Sequence, residues 1–120
     1  MPDGLLHLRE AQQSFRFVDV PSKPVPSLLR GFSAPVKLTT NLGERDLEFL
    51  MAHDSDQFNR WQAGQNYALH VLSRATAAIR DDKPCEEPSA FVRSLSATLG
   101  DRSLEPAYVA ETLKLPSESD

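Results

Sequence analysis

The spacing of apolar residues changes period about a third of the way along the chain. Ser14 to Val20 reads SFRFVDV, with Phe15 and Phe17 on one face and Arg16 on the other. Alternation in a run rich in aromatic and β-branched residues predicts a strand. Ser27–Phe32 and Val36–Thr40 are two further strand candidates, separated by Ser33, Ala34 and Pro35. Leu5 to Leu8 is a short apolar run, and the polar REAQQ that follows reads as a connection. Pro21, Pro24 and Pro26 exclude a helix between the first two candidates, because proline lacks the amide proton and clashes with the preceding turn. Pro35 has to sit at a strand start or on an edge.

After Thr40 the period becomes helical. Asn41 followed by Glu44 has capping-box spacing, with Leu47, Leu50 and Met51 behind it as an apolar stripe. Asp54 with Gln57 three residues on is a second start signal. From there Phe58, Trp61, Ala68, Leu72, Ala75 and Ile79 lie on one helical face, predicting a helix over 55–80, about 39 Å long at 1.5 Å per residue. DDKPCEEP reads as a loop. Pro88 suits the first position of a third helix, with Phe91, Val92, Leu95 and Leu99 inward and Gly100 as its stop. A fourth, short helix starts at Pro106, uses Val109, Ala110 and Leu113, and ends before Pro116; the polar tail SESD reads as frayed.

Strands followed by helices predict an α+β arrangement: a few antiparallel strands in residues 1–40, then about four helices in residues 41–120, as one domain or as two. No internal repeat is visible, although helix pairs of this length can be units of an α-solenoid.

Composition narrows the function classes. The chain has 120 residues, 40% hydrophobic and 25% charged, which is ordinary for a globular protein and too apolar for disorder. A net charge of −4 and a pI of about 5.3 argue against nucleic acid as a partner. No apolar run approaches the roughly 18–20 residues that span a bilayer, and no segment pairs a basic start with an apolar stretch. The single cysteine, Cys85, makes no intrachain disulfide and sits among the acidic Asp82, Glu86 and Glu87. It reads as an incidental loop thiol, and the absence of a disulfide framework fits a reducing compartment. The expectation is a cytoplasmic protein with no membrane partner.

Candidate chemistry is sparse. The histidines are His7, His53 and His70, and none has a second histidine four residues away, the spacing that lets two imidazoles on a helix reach one zinc ion. Glu10 near His7, and Asp54 and Asp56 near His53, complete no recognisable ligand set. The Asp54–Asp56 cluster resembles the start of a calcium loop but lacks the glycine and distal glutamate, so it reads as helix capping. Glu44, Asp46 and Glu48 read as a solvated helix start that complements the macrodipole. No G-x-S-x-G elbow or glycine-rich phosphate loop is present. Gln65 falls on the apolar stripe between Trp61 and Ala68, where its amide needs partners such as loop carbonyls. Gly64 lies mid-helix at a cost of roughly 1 kcal/mol against alanine, which fits a close approach by the segment leading into the helices. Trp61 reads as a core anchor. No catalytic, cofactor-binding or metal residue is assigned.

The phrases PVPSLLRGFSAPVKL and DLEFLMAHDSDQFNRWQAGQ, with EAQQSFRFVDV upstream and LEPAYVAETLKLPS downstream, resemble the bacterial aminopeptidase N family over nearly the whole chain. The resemblance implies the last strands of a small β-sandwich followed by the opening helices of a large helical domain. Members of that family are zinc peptidases that remove N-terminal residues from peptides. Their H-E-x-x-H with its downstream glutamate, their G-A-M-E-N motif and their transition-state tyrosine have no counterpart at any position here. The resemblance therefore implies a non-catalytic structural piece, with zinc held elsewhere in the parent enzyme, the parent's remaining domains as partners and peptides as the parent's substrate. It also implies an open apolar face around Phe15, Phe17 and Phe32, left without sandwich partners. The alternative reading is a free-standing interaction module without enzymatic activity.

Overall fold

Among residues 4–119, which the computed structural model describes, the chain forms four helices and no strand. They are α1 (Glu44–His53), α2 (Gln57–Arg80), α3 (Ser89–Gly100) and α4 (Pro106–Thr112), preceded by a single 3-10 turn at Arg30–Phe32. The expected α+β arrangement is thus corrected to an all-helical one. None of the three strand candidates becomes a strand. Ser27–Phe32 instead carries the 3-10 turn, with Leu29, Gly31 and Phe32 all at positive φ, a conformation that no ladder tolerates. Asp19 interrupts the first candidate in the same way. The backbone bonds described around the second and third candidates are local, Phe32 N–H to Leu29 O and Val36 N–H to Ala34 O. Alternation prepares a segment for a sheet, but a strand exists only where another backbone supplies the ladder.

The helices begin and end close to where the sequence places them, with shifts at the caps. Gly43, not Asn41, is the N-cap of α1, and its amide donates to Asp46 Oδ2 at 3.3 Å. Asp56, not Asp54, caps α2, accepting from Asn59 N–H at 3.0 Å. Asp54 is freed to turn inward, while its own amide closes α1 on Leu50 O at 2.9 Å. Proline opens α4, where its missing amide costs nothing.

α1 folds back along α2, and α3 closes over the pair. The core is Leu47, Leu50 and Met51 from α1, Ala63, Tyr67 and Ala68 from α2, and Phe91 from α3, with Val25, Leu42, Val71 and Leu95 packed around it. Tyr67 and Phe91 meet edge to face, centroids 5.1 Å apart at 89°, an arrangement favoured by the ring quadrupoles. Burial raises the Tyr67 pKa, with Glu48 and Glu44 adding to it.

The buried face of α2 is not the one its apolar stripe marks. Phe58, Leu72 and Ile79 are exposed, Trp61 is half-buried, and of that stripe only Ala68 reaches the core. The face that α1 meets runs through Ala63, Gly64 and Tyr67, rotated by roughly a third of a turn from the stripe at 100° per residue. Small residues decide this. A Cβ on Gly64 would sit 3.5 Å from Met51 Cγ and 3.6 Å from Met51 Sδ, so α1, and not the segment before it, is the element that comes close. In α3, Phe91 and Thr98 are buried while Val92 and Leu99 face out.

Residues 4–40 form an arm laid against this helical body. Phe15 and Phe17 are exposed, and Phe32 is 71% exposed although its ring lies against that of Phe58, tilted by 51° with centroids 4.7 Å apart. The radius of gyration, 16.6 Å, exceeds the about 14 Å of a compact chain this long, as an extended arm requires. Among the described residues no helix is long and apolar enough to cross a membrane.

Candidate functional site

The densest polar constellation lies where the arm crosses the α1–α2 junction. The break between the helices, His53 to Gln57, turns Asp54 inward until its side chain is fully buried. Asp54 Oδ2 accepts from Ser27 Oγ at 2.6 Å, and Oδ1 accepts from Arg30 Nη1 at 2.7 Å and from Asp56 N–H at 2.9 Å. Arg30 also donates to Ser55 Oγ at 2.6 Å and to Ser27 Oγ at 3.1 Å. One turn into α2, Asn59 Nδ2 donates to Leu28 O at 2.7 Å and to Ser27 Oγ at 3.1 Å. Asp56 completes the set, accepting from Gly31 N–H at 2.9 Å while it caps α2.

The electrostatics follow from this geometry. A buried carboxylate is costly unless it is paired and hydrogen-bonded, and Asp54 has three donors, one of them cationic. The amide of Asn59, then that of Gly31, together with the charge of Arg30, hold the Asp56 carboxyl below its ordinary value. Across the junction Arg60 Nε donates to Met51 O at 2.8 Å, fastening the end of α1 to α2. Beyond it lies Tyr108 of α4, whose buried hydroxyl has no hydrogen-bond partner among the described residues. Burial raises its pKa; Arg60 lowers it and Asp54 raises it.

The polar groups of this constellation hydrogen-bond one another. Ser27 Oγ spends its proton on a carboxylate already bound by arginine, so no free base activates it. Among the described residues no cluster of three or more His, Cys, Asp or Glu side chains could hold a metal ion. His53 is exposed and packs against the Phe49 ring at 4.9 Å, and His70 and His7 lie elsewhere on the surface. Cys85 is exposed beside Arg74 and Lys83. Gln65 donates to Lys114 O at 2.8 Å, tying α2 to the chain after α4. Glu44 pairs with Arg74 at 2.6 Å, and Asp101 accepts from the Ser103 hydroxyl and amide, which lowers its pKa.

Of the latch residues, sequence reasoning singled out Asp54 and Asp56, as capping residues. Ser27, Arg30, Asn59 and Arg60 carried no signal beyond the charge of Arg30 inside the otherwise apolar LLRGF. Ser27 and Arg30 lie 27 and 24 residues from Asp54, and no local pattern encodes such a separation.

With this geometry in place, comparison with known proteins locates the chain. Residues 44–120 match the domain of unknown function DUF3458_C, described as ARM repeats, and residues 1–41 match DUF3458, described as having an Ig-like fold. Aminopeptidase N of Caulobacter vibrioides is 44% identical over 114 residues, covering 94% of this chain and 13% of that protein. Aminopeptidase N of Escherichia coli is 36% identical over 118 residues, covering 98% of this chain and 14% of that protein. Legionella pneumophila aminopeptidase A, solved in complex with aspartic acid, superposes with a TM-score of 0.71 at 33% identity, over 86% of this chain and 12% of that one. The chain thus spans 12–14% of the length of these relatives. It belongs to the ARM-repeat family DUF3458_C and corresponds to a short C-terminal portion of aminopeptidase N.

Proposed function

We propose that this chain is a non-catalytic structural piece of a zinc-dependent aminopeptidase that removes N-terminal residues from peptides, and that its task is to join an N-terminal unit, residues 1–40, to the helical unit, residues 41–120. The observation that carries this reading is the Asp54 latch. Buried polar contacts with nothing left to react are what a rigid join between two units needs, and they lie inside a chain that matches only 13% of the Caulobacter relative. The family matches divide the chain near residue 41, where the sequence divides it too. In this reading zinc and the peptide site belong to the parent's other domains, which are this chain's partners, in the cytoplasm.

The test is an assay of the 120-residue chain with amino-acid anilides, with and without added zinc, alongside calorimetry with zinc alone. No turnover and no heat of specific binding are expected. Turnover by the isolated chain overturns the reading. The reading of a free-standing module rests on exposed Phe32, Leu72 and Ile79. The coding sequence separates the two, since an upstream in-frame H-E-x-x-H is required by the first reading and not by the second.

A further inference from the structure

We infer that the Asp54–Asp56 latch is an acid-sensitive clasp, which releases the arm from the helical body at low pH while the three-helix core stays folded. The inference is independent of the parent enzyme's activity and rests on how unequally the two regions depend on charge. Three of the polar contacts that bind the arm end on a carboxylate: Ser27 and Arg30 on Asp54, and Gly31 on Asp56. The rest, Arg30 to Ser55 and Asn59 to Ser27 and Leu28, depend on that turn being held in place. The core, by contrast, is Leu47, Leu50, Met51, Ala63, Tyr67, Ala68 and Phe91, with no carboxylate among them; the Glu44–Arg74 pair that joins α1 to α2 lies outside it, with Arg74 exposed.

The arm is also under strain. Leu29, Gly31 and Phe32 all have positive φ, which costs free energy at the two non-glycine positions and persists only while surrounding contacts impose it. Protonating Asp56 removes the acceptor charge that the Gly31 and Asn59 amides point at and places a new O–H donor against them. The charged and titratable groups that meet the pair are Arg30 from the turn, in contact with Asp54 and acting on Asp56, and Tyr108 from α4, on which Arg60 and Asp54 both act. Of these, Arg30 is the cation in contact, and it loses its counter-charge on release. The sign follows from the lowered Asp56 pKa. Its stabilisation is fully present above the ordinary aspartate value of 3.8 and is lost as the pH falls through the lower, folded-state value.

Two ring pairs report the two regions. Phe32–Phe58, at 4.7 Å, spans the latch, and Tyr67–Phe91, at 5.1 Å, lies in the core. NMR of the 120-residue chain is followed from pH 6.5 to 2.5. The Phe32–Phe58 cross-peak is expected to fall about fivefold or more, with loss of the downfield Gly31 amide shift, while the Tyr67–Phe91 cross-peak stays within about twofold, as sub-global opening requires. Asp56→Asn, at a residue on the rim of the latch, is expected to weaken the Phe32–Phe58 cross-peak already at pH 6.5 and to keep the core cross-peak. The wild-type titration decides the matter should Asp56→Asn fail to fold. Loss of both cross-peaks at one midpoint, or a Phe32–Phe58 contact that survives to pH 2.5, overturns the clasp.

Discussion

The arm and the helical body are held by different physics. The body buries seven hydrophobic side chains contributed by three helices, and most of its stability is the removal of apolar surface from water. The arm leaves Phe15, Phe17, Val18 and Phe32 exposed and, besides Val25 packed on the core, is pinned by hydrogen bonds centred on the buried Asp54 carboxylate, with Asp56 and Asn59 beside it. The first kind of contact is diffuse, so that losing one methylene weakens it in proportion. The second is concentrated, so that losing one oxygen frees several donors together. This difference explains how the arm, residues 4–40, keeps a place on the body with one 3-10 turn and no α-helix or strand.

The contrast is broken most severely from the body side. Phe91→Ala removes the ring that meets Tyr67 edge-on and is expected to cost about 3–5 kcal/mol in urea unfolding, the range for large-to-small substitution of a buried aromatic. A cost below about 1 kcal/mol would show that α3 is not part of the cooperative core.

Asp54→Ala strikes the arm. It leaves Ser27 and Arg30 without their carboxylate, and the expected loss is about 1–3 kcal/mol, kept modest because Arg30 is 45% exposed and can return to water. Helicity by circular dichroism is expected to stay unchanged, while limited proteolysis cuts faster between residues 20 and 40. Loss of helicity in step with the cleavage would mean that arm and body are one unit.

Gly64→Ala sharpens the account of the α1–α2 contact and carries the smallest expected effect. The added Cβ meets Met51 at 3.5–3.7 Å, an ordinary van der Waals distance, so the gain in helix propensity is expected to prevail, stabilising by about 0.5–1 kcal/mol in the same urea titration. Destabilisation would show that Met51 cannot yield and that glycine is required for packing.

The helices were legible because their signals are local. Proline at the first turn of α4, the polar break DDKPCEEP before α3 and the apolar recurrence behind Glu44 each act within one or two turns. The faces were less legible. In α2 two apolar seams lie side by side, and the bulkier one, Phe58–Trp61–Leu72–Ile79, was the natural choice from hydrophobicity alone. The seam through Ala63, Gly64 and Tyr67 won because small side chains let α1 approach. Similarly, Gln65 was expected to seek a loop carbonyl, and Lys114 O is that acceptor, but its identity depends on where the chain goes after α4.

The arm marks the boundary between what sequence and tertiary structure decide. Alternation in SFRFVDV marks a strand candidate, and Pro21, Pro24 and Pro26 exclude a helix after it. They do not determine a strand, since a ladder needs a second backbone and none of the described residues supplies one. By itself the sequence determined where the helices lie, the lack of any recognisable catalytic or metal motif, and, through its resemblance, the kinship with aminopeptidase N. Tertiary structure alone decided which side of α2 is buried and that Ser27, Arg30, Asp54 and Asn59 converge. Helix formation responds to neighbours three and four residues away, whereas convergence of side chains some 30 residues apart is a property of the packed chain.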